Sequence, residues 1–325
     1  MTQSENSLVR TVFKSVDDRT KYIFENIDKF NLYTREDTGT KDAYKYIIAE
    51  QNFVTSTLID SSKVIINNSL FSTPILHAID EIFTEFFNLN PPFITRYREN
   101  IEKYYKLTVL NHTEYSYGSR WAEFNQLDNI IKILLKRPDS KRAVVAIYTP
   151  YDTADSRTDV PCTLLYNFIL RDSKLHMYIA FRSHDLYAGY KTDYVLSSFV
   201  LRYIARMVEL LGHFQVTPGQ IHMHDASLHY YPKAVKNSPE NILKSFTNRN
   251  AIFEPFTNTQ YSSAKEMLQD MLNLRLSEEA SYAYSYQHAL DLIESIKDVY
   301  LKDIAKYLYN IQAKEKLTYS SGLNL

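Results

Sequence analysis

The chain has 325 residues, 45% of them hydrophobic and 23% charged, with a net charge of -1 at pH 7. That length suits one large or two ordinary domains with ample core, and a near-neutral balance lacks the basic field that holds nucleic acid polymers. No apolar run approaches the ~18 residues that span a bilayer, and residues 1–7 are too polar for a signal peptide, so no membrane partner is expected. A single cysteine excludes internal disulfides and sulfur-rich zinc sites, which suits a reducing, cytoplasmic setting. The nine histidines show no ligand spacing, so no metal is expected.

In chain order, apolar residues at near-helical spacing (Val16, Tyr22, Ile23, Ile27, Phe30) predict a helix over 16–32. β-Branched and aromatic residues over 43–59 predict a strand after a turn at Thr38-Gly39-Thr40. Ser72-Thr73-Pro74 opens a helix over 75–87 that Pro91-Pro92 ends. A further helix covers 126–136, stopped by Pro138. The middle third changes character: 142–148 is a strand, and 163–170 with 175–181 form a hairpin about a polar turn. Residues 195–211 are apolar nearly all round, which predicts a central buried helix ended by Gly212. Strand returns at 220–223, and from 262 to 317 two or three packed helices follow. A strand-rich centre with helical ends is an α+β chain.

The candidate chemistry lies in short motifs. Cys162 sits in Pro161-Cys162-Thr163, followed by Arg182-Ser183-His184-Asp185 and by Gly189 and Asp193. A free cysteine is commonly a small buried hydrophobe, but one followed by an Arg-Ser-x-Asp cluster is a candidate nucleophile facing a phosphate-bearing substrate. Tyr117-Gly118-x-x-Trp121, the run from Arg137 to Arg142, and Leu228-His229-Tyr230-Tyr231 complete the set.

These motifs, in this order, resemble the thymidylate synthase superfamily over roughly residues 35–235. The resemblance implies a thymidylate synthase-like fold, a central mixed sheet packed by helices. It divides the chain into an N-terminal helical extension (1–34), a catalytic core (35–240) and a C-terminal helical extension packed on that core (241–325). It also implies that a cysteine thiolate, here Cys162, adds to C6 of a pyrimidine nucleotide and makes C5 a carbon nucleophile. C5 then takes a one-carbon unit from the co-substrate 5,10-methylenetetrahydrofolate.

By the same resemblance Arg182 and Ser183 bind the phosphate, the arginine through its planar fork. Lys141 and Arg142 match two consecutive arginines that complete that site from the partner across a homodimer. His229 and Tyr231 match the pair on the sugar 3′-hydroxyl, and Tyr117 the tyrosine near the C5 proton. Asp185 matches the carboxylate on the folate pterin, with Gly189 nearby. Glu81 fits the glutamate that organises proton transfer, with Glu85 a competitor. The N-terminal phosphate ligand is matched by Asp37, for which Arg35 or Lys41 could substitute.

Asp193 is the discriminating position, because thymidylate synthases carry asparagine there. A carboxylate only accepts hydrogen bonds, so it repels uracil O4 and accepts from the cytosine amino group. It could also cap a helix beginning at Tyr194. With Thr163 after the cysteine and Phe181 before Arg-Ser, the motifs most resemble the phage deoxycytidylate hydroxymethylases. The expectation is a hydroxymethyltransferase that converts dCMP, or CMP, to its 5-hydroxymethyl derivative with methylenetetrahydrofolate and water, in the host cytoplasm if the protein is viral. C5 methylation of dCMP or dUMP, and a non-catalytic nucleotide-binding homologue, are the alternatives.

Overall fold

The computed structural model describes residues 10–36, 45–59, 117, 120–121, 124–153, 160–187, 189–233, 238–245 and 254–321. The helix expected over 75–87, the turn at 38–40 and the positions Asp37, Gly39, Lys41, Glu81, Glu85 and Gly118 lie outside them.

Serine 15 starts α1 (Val16–Glu25) by accepting a bond from the Asp18 amide, with Asp17 and Asp18 in the first turn, where a helix N-terminus favours negative charge. The helix is shorter than its apolar spacing predicts. It stops at Asn26, passes through a 3-10 turn (Ile27–Lys29), and the chain becomes strand β2 (Asn31–Glu36). The cause is tertiary: β2 pairs antiparallel with β3 (Lys45–Leu58), from Asn31 opposite Glu50 to Glu36 opposite Lys45. Ahead of α1, β1 (Val12–Phe13) runs parallel to the other end of β3.

Helix α2 (Gln126–Lys136) matches its expected span. Strand β4 (Val144–Ala146) is short, and β5 (Thr163–Arg171) turns into β6 (Lys174–Phe181) through Asp172 and Ser173. Both turn residues have positive φ, 49° and 60°. That is the two-residue hairpin geometry whose twist matches the strands it joins. After β7 (His184–Asp185) the helix α3 runs from Gly189 to Gly212, beginning six residues earlier than its apolar run predicts. β8 (Thr217–Tyr230) follows. The eight described strands form one mixed sheet, in the order β1-β3-β8-β6-β5-β4, with β2 also on β3 and β7 also on β8. β6 and β8 are parallel neighbours, which requires a crossover, and α3 lies in it. The expected mixed sheet packed by helices is therefore the observed fold.

The chain divides into two compact units. One comprises Met1–Leu201 and Thr217–Phe253, and holds the sheet, α1, α2 and α4 (Pro239–Ser245). Its core interleaves sheet residues such as Tyr166, Phe168, Met177 and Met223 with helix residues such as Ile131, Leu134, Phe199 and Val200, all buried. The other unit comprises Arg202–Val216 and Glu254–Leu325, with α5 (Ala264–Tyr282), α6 (Tyr286–Ser295) and α7 (Val299–Ser321). Two buried carboxylates organise it. Asp270 accepts from the Tyr261 hydroxyl and from the Lys297 and Asp298 amides. Asp298 accepts from the amides of Phe256, Tyr300 and Leu301, which caps the start of α7.

Candidate active site

Cys162 lies at the mouth of the β5–β6 hairpin, half-buried and outside any disulfide. The pairing of β5 with β6 slips between Thr163 and Leu165. Such a bulge directly after the cysteine re-aims the strand end, and the Leu164 carbonyl turns to accept from both Ile147 and Tyr148 amides at 3.0 Å. Arg182 stands across the hairpin. Its backbone N–H donates to the Cys162 carbonyl (2.9 Å), Nε to the Pro161 carbonyl (2.8 Å) and Nη2 to the Val160 carbonyl (2.8 Å). One arginine thus fixes the cysteine loop through three backbone carbonyls.

Tyr117 meets the same loop from another segment, its hydroxyl oxygen accepting from the Thr163 amide at 3.3 Å. Burial pushes the Tyr117 phenol well above its usual range, and the charges of Asp193 and Cys162 push the same way. The hydroxyl therefore keeps its proton and can donate it. Asp193 is 7% exposed. It lies inside α3, in its second turn, because the helix begins at Gly189. The expected N-cap role is thereby corrected: a cap precedes the first helical residue, and four helical residues precede Asp193. A Cβ at Gly189 would stand 2.9 Å from Asp193 Oδ2, so glycine there leaves room for the carboxylate.

The third side is built by β7 and β8. His184 pairs with Leu228 and Asp185 with His229, while the Leu186 amide donates to the His229 carbonyl (2.9 Å). Asp185 accepts from the Tyr187 amide at 2.8 Å. His229 is buried, its Nδ1 lies 3.3 Å from the Ser227 hydroxyl, and its ring meets Tyr231 edge-on at 5.4 Å. Ser227 in turn bonds Glu50 on β3.

Behind this surface lies a buried charge chain that motif reading missed. His184 is fully buried, stacked on Phe181 at 4.0 Å, with Nδ1 2.6 Å from Asp225 Oδ1. Asp225 is also fully buried and pairs with Arg19 of α1, whose Nε donates to the Ser56 hydroxyl at 2.8 Å. Burial disfavours the Asp225 carboxylate, but Arg19 and His184 overcome that and hold its pKa below the usual value. Burial lowers the pKa of His184, which Asp225 only partly offsets. His184 Nε2 stands 3.5 Å from Asp193 Oδ2. His184 sits visibly within the Arg-Ser-x-Asp motif, but Arg19 and Asp225 are 206 residues apart and no local pattern links them.

The structure thus brings together Cys162, Tyr117, Arg182, Ser183, Asp185, Gly189, Asp193, His229 and Tyr231 at the ends of β6, β7 and β8 and the start of α3. Lys141 and Arg142 are exposed and lie elsewhere. The Ala143 carbonyl accepts from Phe168 and Val144 pairs with Asn167, so Arg142 falls near Ile169. That is about 20 Å along β5 from Cys162, at the usual rise of a strand. Arg35 lies on β2 opposite Tyr46.

A mixed sheet packed by helices, with a thiol, a guanidinium and a carboxylate near one strand end, defines an α+β protein. The sequence matches the family described as Thymidylate synthase over residues 76–272, more than half of the chain, and the chain belongs to that family. A relative from Methanosarcina acetivorans named "Putative thymidylate synthase" is 32% identical over 142 residues, 41% of this chain and 62% of that protein. One of the same name from Methanothermobacter thermautotrophicus is 32% identical over 151 residues, 44% and 64% of the two chains. The "Thymidylate synthase" of Listeria monocytogenes is 25% identical over 173 residues, 48% and 54%. The chain therefore spans less than two thirds of the length of these relatives.

Proposed function

We propose that the protein is a folate-dependent transferase that adds a one-carbon unit to C5 of a pyrimidine nucleoside monophosphate, and that it hydroxymethylates dCMP or CMP. The observation that carries this reading is a buried carboxylate, Asp193, held in the same site as Cys162 and Tyr117. An acceptor-only group there favours the cytosine amino edge. A mispaired buried polar group costs about 1–3 kcal/mol, enough for a preference of about tenfold or more.

In this mechanism Cys162 Sγ forms a bond to C6 and the displaced electron pair moves through the ring toward C5. Arg182 and Ser183 bind the phosphate. Two guanidinium N–H groups of Arg182 bond carbonyls of the cysteine loop, and the remaining donors suit an anion. His229 and Tyr231 orient the sugar, and the protonated Tyr117 hydroxyl manages the proton at C5. Methylenetetrahydrofolate, when bound, supplies the one-carbon unit. The half-buried Asp185, an acceptor beside Gly189, suits the donor edge of its pterin.

Lys141 and Arg142 lie too far along β5 to serve their own chain's cysteine, which supports a homodimer in which each copy completes the other's phosphate site. A second reading, C5 methylation of dCMP or dUMP, is favoured by the names of the relatives.

The test is incubation with methylenetetrahydrofolate and dCMP, CMP or dUMP, followed by mass spectrometry of the product. A 5-hydroxymethylcytosine nucleotide is expected. A 5-methyl product made with dihydrofolate would establish methylation instead. Turnover that survives Cys162→Ser would exclude the covalent mechanism altogether.

A further inference from the structure

Glu50 of β3 and His229 of β8 are 5% and 4% exposed and stand directly opposite each other in the sheet. Ser227 lies two residues before His229, on the diagonal along which cross-strand side chains also meet. Its hydroxyl donates to Glu50 Oε1. A serine hydroxyl has one proton. With that proton in the bond to Glu50, the Ser227 oxygen can only accept from any other neighbour.

His229 Nδ1 has that oxygen at 3.3 Å and the Ser227 carbonyl at 3.4 Å. A carbonyl never donates, and this hydroxyl has nothing left to donate. Nδ1 therefore carries a proton and shares it between both oxygens, a three-centre bond with two long contacts in place of one short one. In the neutral imidazole a proton on Nδ1 leaves Nε2 with a lone pair.

We propose that Glu50 is a positioning residue: acting through Ser227, it fixes the His229 proton on Nδ1, so that Nε2 presents an acceptor to the 3′-hydroxyl of the nucleotide sugar. The inference rests on the sugar role given to His229 above, and adds which partner donates. The sugar hydroxyl is the donor. The site thus takes a free hydroxyl and turns away a group at that carbon that only accepts, such as fluorine or an ester oxygen. Without Glu50 the Ser227 hydroxyl can turn its proton toward Nδ1, the imidazole proton then sits on Nε2, and that selectivity is lost.

The experiment has two arms. Long-range proton–nitrogen NMR of the full chain, labelled at histidine and free of ligand at about pH 8, above the usual histidine range, reads which ring nitrogen is protonated. The His229 signals are assigned by their loss in His229→Gln. Native His229 should carry its proton on Nδ1 alone. Glu50→Leu offers Ser227 no acceptor and should move the proton to Nε2. Glu50→Gln, whose amide oxygen still accepts, should keep it on Nδ1. The second arm measures binding of dCMP and of 3′-fluoro-2′,3′-dideoxycytidine monophosphate. The native chain should prefer dCMP about tenfold or more, because two facing acceptors leave a buried group unpaired. That preference should largely disappear in Glu50→Leu and persist in Glu50→Gln. A Glu50→Leu chain that binds both ligands less well by the same factor, with its tautomer unchanged, gives Glu50 a structural role only and overturns the proposal. Native His229 protonated at Nε2, or at both nitrogens, also overturns it and leaves the reading of Cys162 and Asp193 intact. An Nδ1 proton in a native chain that binds the two ligands equally overturns the sugar role of His229, and this proposal with it. Should Glu50→Leu fail to fold, the native and Glu50→Gln measurements decide.

Discussion

Replacing Asp225 by asparagine tests whether the buried charge chain holds the sheet unit together. Both partners of the Arg19–Asp225 pair have side chains with no solvent exposure. Asp225→Asn would leave the Arg19 cation buried with the Ser56 hydroxyl and an amide oxygen. Removing one member of a buried pair typically costs about 3–5 kcal/mol, and the remaining neutral acceptors argue for the low end, about 3 kcal/mol.

Trp121 provides the assay: it is the only tryptophan, it is buried, and it packs on Tyr166 of β5 at 5.9 Å, within the sheet unit. Urea unfolding followed by its fluorescence should show a midpoint lower by about 1 M, taking a slope of about 3 kcal/mol/M. The pH dependence follows from the direction of the Asp225 shift. Its pKa is lower folded than unfolded, so its contribution is present above the unfolded value of about 3.9 and is lost as pH falls through the folded value. The variant should lack that acid dependence. A double replacement, Arg19→Met with Asp225→Leu, should recover much of the loss by removing both charges. A midpoint for Asp225→Asn within experimental error of native would refute the account of this pair.

Asp193→Asn should move tritium exchange from dCMP toward dUMP by about tenfold or more; an unchanged ratio would show that another group reads the base. Mixing Cys162→Ser with Arg142→Glu chains, each impaired alone, should restore turnover if the phosphate site is shared between copies, and no recovery under conditions of subunit exchange would exclude sharing. Asp152 is buried, and although burial disfavours its charge, Arg120 and the Thr149 amide hold its pKa at about 2. That pair should contribute roughly 2 kcal/mol above pH ~4, lost as pH falls through about 2. Arg120→Leu should weaken this acid dependence in the same fluorescence assay, leaving the part that the Thr149 amide and hydroxyl supply.

The hairpin, the span of α2 and the buried run of α3 follow from local rules that any window of sequence carries: a polar turn between β-rich runs, a stopping proline and an apolar periodicity. The motif residues from Cys162 to Asp193 were legible for the same reason, since one strand end and the helix after it keep them close along the chain. The first turns of α3 were not legible, because Gly189 to Asp193 lack its apolar pattern.

Pairing between distant segments required the tertiary structure. Its energy depends on partners far off in the chain, so the helix that apolar spacing carried to residue 32 ends at Glu25 and the chain is strand from Asn31. Arg19, Asp225 and His184 become one buried unit only when α1 and β8 meet behind the site. Sequence alone named the candidate groups. Tertiary structure decided which of them share a low-dielectric environment, where a neighbour's charge acts strongly enough to set a proton's position.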